Sequence, residues 1–327
     1  MSYTPPFTVS AKAISLIAEI SAQVERFTIR LEQEDGLRLR KINRLKSIHS
    51  SLAIEGNTLA EDQVADIING KNVVAPLREI QEVKNAIKAY ELYSKLNPYS
   101  VEDLLKAHGV LMAALTDDAG HFRHGGVGVF SKQGCVHMAP PAERVPTLIA
   151  DLFEWLKNAP DHLLIKSCVF HYEFEFIHPF SDGNGRTGRL WQSLILGKLN
   201  PCFEHLPVVN MVYENQEEYY EAINKSTENA DCGVFIDFML QEILFALKKH
   251  RGDPINHQND PINDLLNDPI NLLVDLIKKS PEKTYSEYAM QLGKSEATVK
   301  RLIGELKKQG KIERMGAKKN GWWKVNE

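Results

Sequence analysis

Residues 178–189 gather an unusual amount of chemistry into twelve positions. They hold an acid–base group in His178 and a carboxylate in Asp182. Three glycines, Gly183, Gly185 and Gly188, and two arginines, Arg186 and Arg189, complete the set. Glycine-containing turns leave backbone N–H groups unblocked and free to converge on an anion. A helix starting near Arg186 would add its own unpaired N–H groups and its positive end. Arg186 and Arg189 lie three apart, on one helical face. Each offers a planar donor fork suited to phosphate. A single phosphate would hardly need both, so the spacing points to a di- or triphosphate. A carboxylate beside phosphate is unfavourable unless a cation intervenes, and magnesium binds carboxylates together with substrate phosphates. Histidine takes a proton near neutral pH. Beside a bound nucleoside triphosphate, His178 would deprotonate an incoming hydroxyl for in-line attack on a phosphoryl group. Pro179 and Phe180 would hold the turn. The segment is not a Walker A loop, because GxxxxGK[ST] is absent.

The surrounding chain supplies helices to position this cluster. Apolar spacing predicts helices over 9–34, about 38–54, 59–69, 76–96, 101–115 and 142–157. Gly56-Asn57 and Gly70 serve as stop signals. The next helix runs to about Ile177, with Asp161 as its expected cap. It is apolar on most sides, as a buried central helix would be. His171, inside it, reads as structural. Helices over about 186–199, 215–227 and 232–249 follow. Between 119 and 141, glycine and β-branched content favours a small hairpin over a helix.

Residues 251–264 carry two Asp-Pro steps in a polar stretch and read as a linker. Beyond them, 265–327 suggests three helices near 268–279, 285–292 and 295–309, then a two-stranded wing at Lys311–Arg314 and Trp322–Val325. That is a winged helix-turn-helix pattern. Between Lys294 and Lys324 there are ten Lys or Arg against three Asp or Glu. Such a surface suits a phosphate backbone, although winged units also dock proteins.

The net charge of -4 gives no global pull toward nucleic acid or membrane, and 43% hydrophobic content is ample for a core. Cys135, Cys168, Cys202 and Cys232 show neither zinc-knuckle nor CxxC spacing. The N-terminal residues have no basic segment followed by an apolar run, and no stretch reaches membrane-spanning length. These features fit a cytoplasmic protein without a membrane partner.

The run HPFSDGNGRTGR resembles the defining motif of the Fic family, HPFx[DEN]GNGRxxR, at every fixed position. The resemblance implies an all-α Fic fold with a small β-hairpin flap, followed here by the C-terminal winged helix-turn-helix. It divides the chain into an N-terminal helical extension (1–97), a catalytic core (98–250), the linker and the winged unit. The implied activity is transfer of AMP from ATP to a Ser, Thr or Tyr hydroxyl of a target protein or of the chain itself. His178 would be the general base and Asp182 the Mg²⁺ ligand. Residues Gly183, Asn184, Gly185, Arg186, Thr187, Gly188 and Arg189 would contact the nucleotide, with Arg186 on the β-phosphate and Arg189 on the γ-phosphate. Val136 and His137 of the flap, and Tyr219 beside Tyr220, are further candidates near the nucleotide. Fic proteins also move UMP, phosphocholine or phosphate, remove AMP, and often dimerise.

Ser51 to Asn57 resembles the family's inhibitory motif, [ST]xxxE[GN]. By that resemblance Glu55 would pair with Arg189 and occupy the arginine meant for the γ-phosphate. Ser51, one turn earlier, would hydrogen-bond nearby backbone. Two other readings remain. One is a phosphodiesterase that removes AMP, with Glu55 positioning water. The other is a DNA-binding regulator with a nucleotide-sensing Fic region.

Overall fold

The computed structural model describes residues 3–32, 36–131, 134–249, 269–292, 296–308, 310–316 and 321–326. The chain divides into two compact units, Met1–Ile255 and Asn256–Glu327. The expected linker at 251–264 lies outside the described residues.

The first unit is built on two buried helices, α7 (Leu163–Ile177) and α8 (Asn184–Leu199). Every residue of α7 from Leu164 to Phe174 is buried, as apolar residues on most of its sides predict, and Lys166, Ser167, His171 and Glu173 are buried with them. α8 packs along it and buries Leu190, Trp191 and Leu194–Leu196. The remaining helices wrap this pair: α1 (Ala11–Glu32), α2 (Gly36–Ile54), α3 (Glu61–Ile68), α4 (Leu77–Glu91), α5 (Val101–Leu111) and α6 (Val145–Asn158). Downstream come α9 (Val208–Glu214), α10 (Gln216–Asn229) and α11 (Gly233–Lys249). α1 packs on α11, and one hydrophobic core includes Ile20 and Phe27 with Phe170, Trp191 and Phe235. Residues upstream of 98 therefore share a core with those downstream.

A two-stranded antiparallel hairpin, β1 (Gly128–Ser131) and β2 (Gly134–Met138), stands where glycine and β-branched content favoured one. Its register shifts between Val129 and Phe130.

Helix limits differ from expectation at a few ends. The cap of α7 is His162, not Asp161: its Nδ1 accepts the Leu164 N–H at 3.2 Å. Burial lowers the His162 pKa, which keeps that nitrogen an acceptor. α4 stops at Glu91 and passes into a short 3₁₀ turn, Tyr93–Lys95. α9 escaped the periodicity reading because seven residues bounded by Pro207 and Asn215 span barely two turns.

In the second unit α12 (Pro269–Lys279), α13 (Tyr285–Leu292) and α14 (Glu296–Lys308) precede an antiparallel pair, β3 (Ile312–Met315) and β4 (Trp322–Val325). Their core joins Leu273, Ile277, Tyr288, Val299, Leu302, Leu306 and Trp323. Trp323 is buried and Trp322 exposed, as alternation along a strand requires.

The turn between α7 and α8 hangs on Phe180. Its ring is fully buried and lies flat against His108, with centroids 3.6 Å apart. Phe180→Ala is expected to lower the unfolding free energy by about 3–5 kcal/mol in chemical denaturation. A loss below about 1 kcal/mol would mean that the ring does not anchor the turn.

Candidate active site

Sharp backbone geometry reverses the chain between α7 and α8. His178 adopts a left-handed conformation (φ 49°) at the end of α7, and Gly183 another (φ 83°) at the start of α8. Gly183 avoids the Cβ cost of that conformation, which His178 bears. Asn184 spends its whole side chain on the turn. Its Oδ1 accepts the Phe180 N–H at 2.9 Å, and its Nδ2 donates to the Phe180 carbonyl at 2.8 Å. Thr187 is buried likewise and donates its hydroxyl to the Gly183 carbonyl. Both side chains hold the turn, leaving backbone N–H groups for a ligand. Asn184 also explains why α8 begins two residues earlier than expected.

Two buried residues that the sequence did not single out brace the turn. Arg123 donates Nε to the His178 carbonyl at 2.7 Å, Nη1 to Gly125 O at 2.8 Å and Nη2 to Pro140 O at 2.6 Å. It thereby ties the segments flanking the hairpin to the end of α7. His108 accepts the Gly120 N–H at Nδ1, so Nε2 carries the proton and donates to the Asp182 carbonyl at 2.9 Å. Burial lowers the His108 pKa, consistent with that neutral ring.

The His178 Nδ1 lies 3.3 Å from the Glu175 carbonyl. A carbonyl only accepts, so Nδ1 carries the proton and Nε2 the lone pair. The ring is about one-fifth exposed.

Arg186 and Arg189 are both buried, yet they have different partners. Arg186 donates Nη2 to Asp182 Oδ1 at 2.8 Å, and its Nη1 stands 3.4 Å from Glu82 Oε1. Arg78 donates Nη2 to Asp182 Oδ2 at 3.0 Å, with its Nε 3.5 Å from Glu82 Oε1. Arg78, Asp182, Arg186 and Glu82 thus form a closed ring of alternating charges, half of it from α4. Glu82 Oε2 also accepts from Asn57 Nδ2 at 2.8 Å, linking the ring to the turn after α2.

Arg189 meets α2 directly. Its Nη2 donates to Glu55 Oε1 at 2.7 Å and to the Ser51 carbonyl at 2.9 Å. Its Nε donates to Ser51 Oγ at 3.2 Å. The Ser51 hydroxyl, expected to bond nearby backbone, accepts here from Arg189. Burial disfavours the Arg189 charge, but Glu55 and the other neighbours outweigh this and raise its pKa. Gly185 permits the pairing: a Cβ there would collide with Glu55 Oε1 and stand 2.7 Å from Arg189 Nη1.

The remaining candidates are placed unevenly. Tyr219 is buried, with its hydroxyl 2.9 Å from Nε2 of His171, while Tyr220 beside it is exposed. Of the pair, Tyr220 is the one a ligand could reach. His171 also meets Gln192, and burial pushes its pKa down to about 3, as a structural histidine requires. Val136 and His137 lie on β2; their side chains are outside the described residues. Among the described residues, no group of three or more His, Cys, Asp and Glu forms a metal cluster.

A family model described as Fic/DOC family matches residues 98–196. The crystal structure of a Fic family protein from Desulfovibrio desulfuricans G20 is 39% identical, covers 99% of this chain and 98% of its own, and superposes with a TM-score of 0.74. This chain belongs to the Fic family. Among curated Fic relatives, the protein adenylyltransferase Fic of Nematostella vectensis is 29% identical over 59% of this chain and 45% of its own length. The protein adenylyltransferase fic-1 of Caenorhabditis elegans is 31% identical over 63% of this chain and 41% of its own. The chain thus spans less than half the length of these two relatives.

Removing the Arg123 fork should weaken the Fic turn as a unit. Arg123→Lys keeps the charge but not the fork, and is expected to cost about 2 kcal/mol or more by leaving buried carbonyls unpaired. Urea denaturation measures this; an unchanged midpoint would rule out the bracing role.

Proposed function

We propose that this Fic protein transfers AMP from ATP to a Ser, Thr or Tyr hydroxyl of a protein, itself included, and that Glu55 holds it off at rest. The observation that carries this reading is the convergence of His178, Asp182, Arg186 and Arg189 at the start of α8, with Glu55 on the last of them. In this reading Nε2 of His178 takes the hydroxyl proton, and the oxygen attacks the α-phosphorus. Pyrophosphate leaves, held by the N–H groups of the α8 start and by the two arginines. The hairpin presents the target backbone beside His178.

Asp182 suits the metal site. Its carboxylate is two-fifths exposed, and both oxygens are paired with the Arg78 and Arg186 guanidiniums, whose place a bound cation would take. One carboxylate plus substrate phosphates is a usual Mg²⁺ donor set. When bound, Mg²⁺ would stabilise charge on the departing pyrophosphate. Arg186 is expected to contact the β-phosphate and Arg189 the γ-phosphate. Tyr220, exposed beside Tyr219, extends the candidate base-contacting surface.

AMP removal is a second reading, favoured by Glu55 itself. Only its Oε1 engages Arg189, and the residue remains about one-third exposed, so the carboxylate could orient water.

Glu55→Gly should raise auto-modification by labelled ATP at least about tenfold, the change that about 1.4 kcal/mol of competition with nucleotide produces. Adding His178→Ala should abolish the label while the thermal transition is retained. Equal labelling of wild type and Glu55→Gly would reject the brake. Loss of AMP release from modified protein in Glu55→Gly would instead favour the reverse reaction.

The second unit is proposed as a winged helix whose α14 meets a phosphate backbone through Arg301, Lys307 and Lys308. The full chain should then shift a DNA duplex at low salt and lose it steeply as salt rises. No shift at low salt leaves protein docking, including a homodimer, as the role of this unit.

A further inference from the structure

Glu175 is a largely buried titratable group that the transfer chemistry above leaves unused, its side chain 13 % exposed. It lies in the last turn of α7, three residues before His178. Its Oε2 stands 4.0 Å from His178 Nδ1, and its Oε1 is buried without a hydrogen-bond partner. Glycine at 188 leaves room for this carboxyl where it stands: a Cβ there would lie 2.6 Å from Oε1. Position 188 is one of the variable positions of the Fic motif, and its glycine also spares the Phe174 ring, which a Cβ would approach to 3.1 Å. A buried carboxyl with an unfilled acceptor is unfavourable for packing alone, and an apolar side chain would serve α7 better.

We propose that Glu175 is the positioning residue of His178, a carboxyl set behind Nδ1 that stabilises the imidazolium formed when Nε2 takes the target's proton. This rests on the reading of His178 as the general base. The Glu175 carbonyl fixes the proton on Nδ1, and the side chain of the same residue supplies the counter-charge. Through the step the hydroxyl proton moves to Nε2, the O–P bond to the α-phosphorus forms, and the bond to pyrophosphate breaks with its electron pair. Glu175 gains and loses nothing.

The groups facing Glu175 set when it can act. Arg189 faces it from α8, Glu55 from the turn after α2, Tyr219 and Tyr220 from α10, and His178 from the end of its own helix. Burial pushes the Glu175 carboxyl up to about 8, with Arg189 lowering it and Glu55 raising it. Its folded-state pKa is raised, so it is neutral below that pH and a carboxylate above. Removing Glu55 moves its ionisation to lower pH.

The test is AMP transfer by full-length Glu55→Gly, with and without Glu175→Gln, across pH. Glutamine is isosteric with the protonated acid. At about pH 5.5 the two proteins should therefore have similar kcat; by about pH 8.5 the Glu175→Gln protein should lag at least about tenfold, with KM for ATP within about twofold. A constant ratio at every pH would mark a merely structural role and overturn the proposal. NMR titration of the His178 imidazole without substrate gives a readout independent of transfer. The imidazolium should persist to higher pH with Glu175 than with glutamine; coincident titrations would also overturn it. A titration difference without any AMP transfer would leave the Glu175–His178 pair standing and defeat the transferase reading instead.

Discussion

The arrangement of this Fic protein turns on the burial of one guanidinium. Arg189 is almost wholly excluded from solvent, and a buried charge is tolerated only when paired and hydrogen-bonded. Its bonds come from the end of α2 and the turn after it: the Ser51 hydroxyl, the Ser51 carbonyl and the Glu55 carboxylate. Those groups lie more than 130 residues away in sequence, as the 134-residue separation of Glu55 from Arg189 records. Docking α2 against the start of α8 is therefore a condition for burying this arginine. The proposed brake follows from the same requirement, because a nucleotide's terminal phosphate is the other anion that could satisfy it.

Charge balance explains the neighbours. Two carboxyl groups approach Arg189, and one suffices to neutralise it. Glu55 makes the direct bond, and burial keeps Glu175 protonated to an unusually high pH. On the other side of the α8 start, Arg186 faces the same problem and solves it with Asp182 and Glu82. Arg78 closes that ring. In the proposed reading the resting protein already balances every charge that ATP and its cation would balance. Glu82 joins the two halves by accepting from Asn57, so the turn after α2 and the Asp182–Arg186 pair are mechanically connected.

The parts of this site legible in the sequence were those contiguous in it. His178 to Arg189 could be read as an anion cradle from residue types and spacing alone. The contact of Glu55 with Arg189 followed only from resemblance, since no local pattern links residues so far apart. Arg123, His108, Arg78 and Glu82 were not singled out. Each acts by reaching a backbone carbonyl or a distant charge, and nothing in their spacing betrays it. Asn184 was read as part of the cradle, although its side chain is consumed by Phe180. Tyr219 behaves as the core aromatic that its buried helix position implies. The helices were readable because their apolar periodicity is long. The short α9 was not, and the ends of α4 and α5 overran because propensity does not register a 3₁₀ turn or the left-handed residue Ala114.

The proposed competition for Arg189 would have a thermodynamic signature that needs no turnover. Calorimetry would compare a non-hydrolysable ATP analogue with ADP, each binding to the wild type and to Glu55→Gln. ADP has no third phosphate to meet Arg189. The account predicts that the substitution tightens the ATP analogue by about tenfold or more and changes ADP by less than about twofold. Equal tightening of both nucleotides, or of neither, would contradict it.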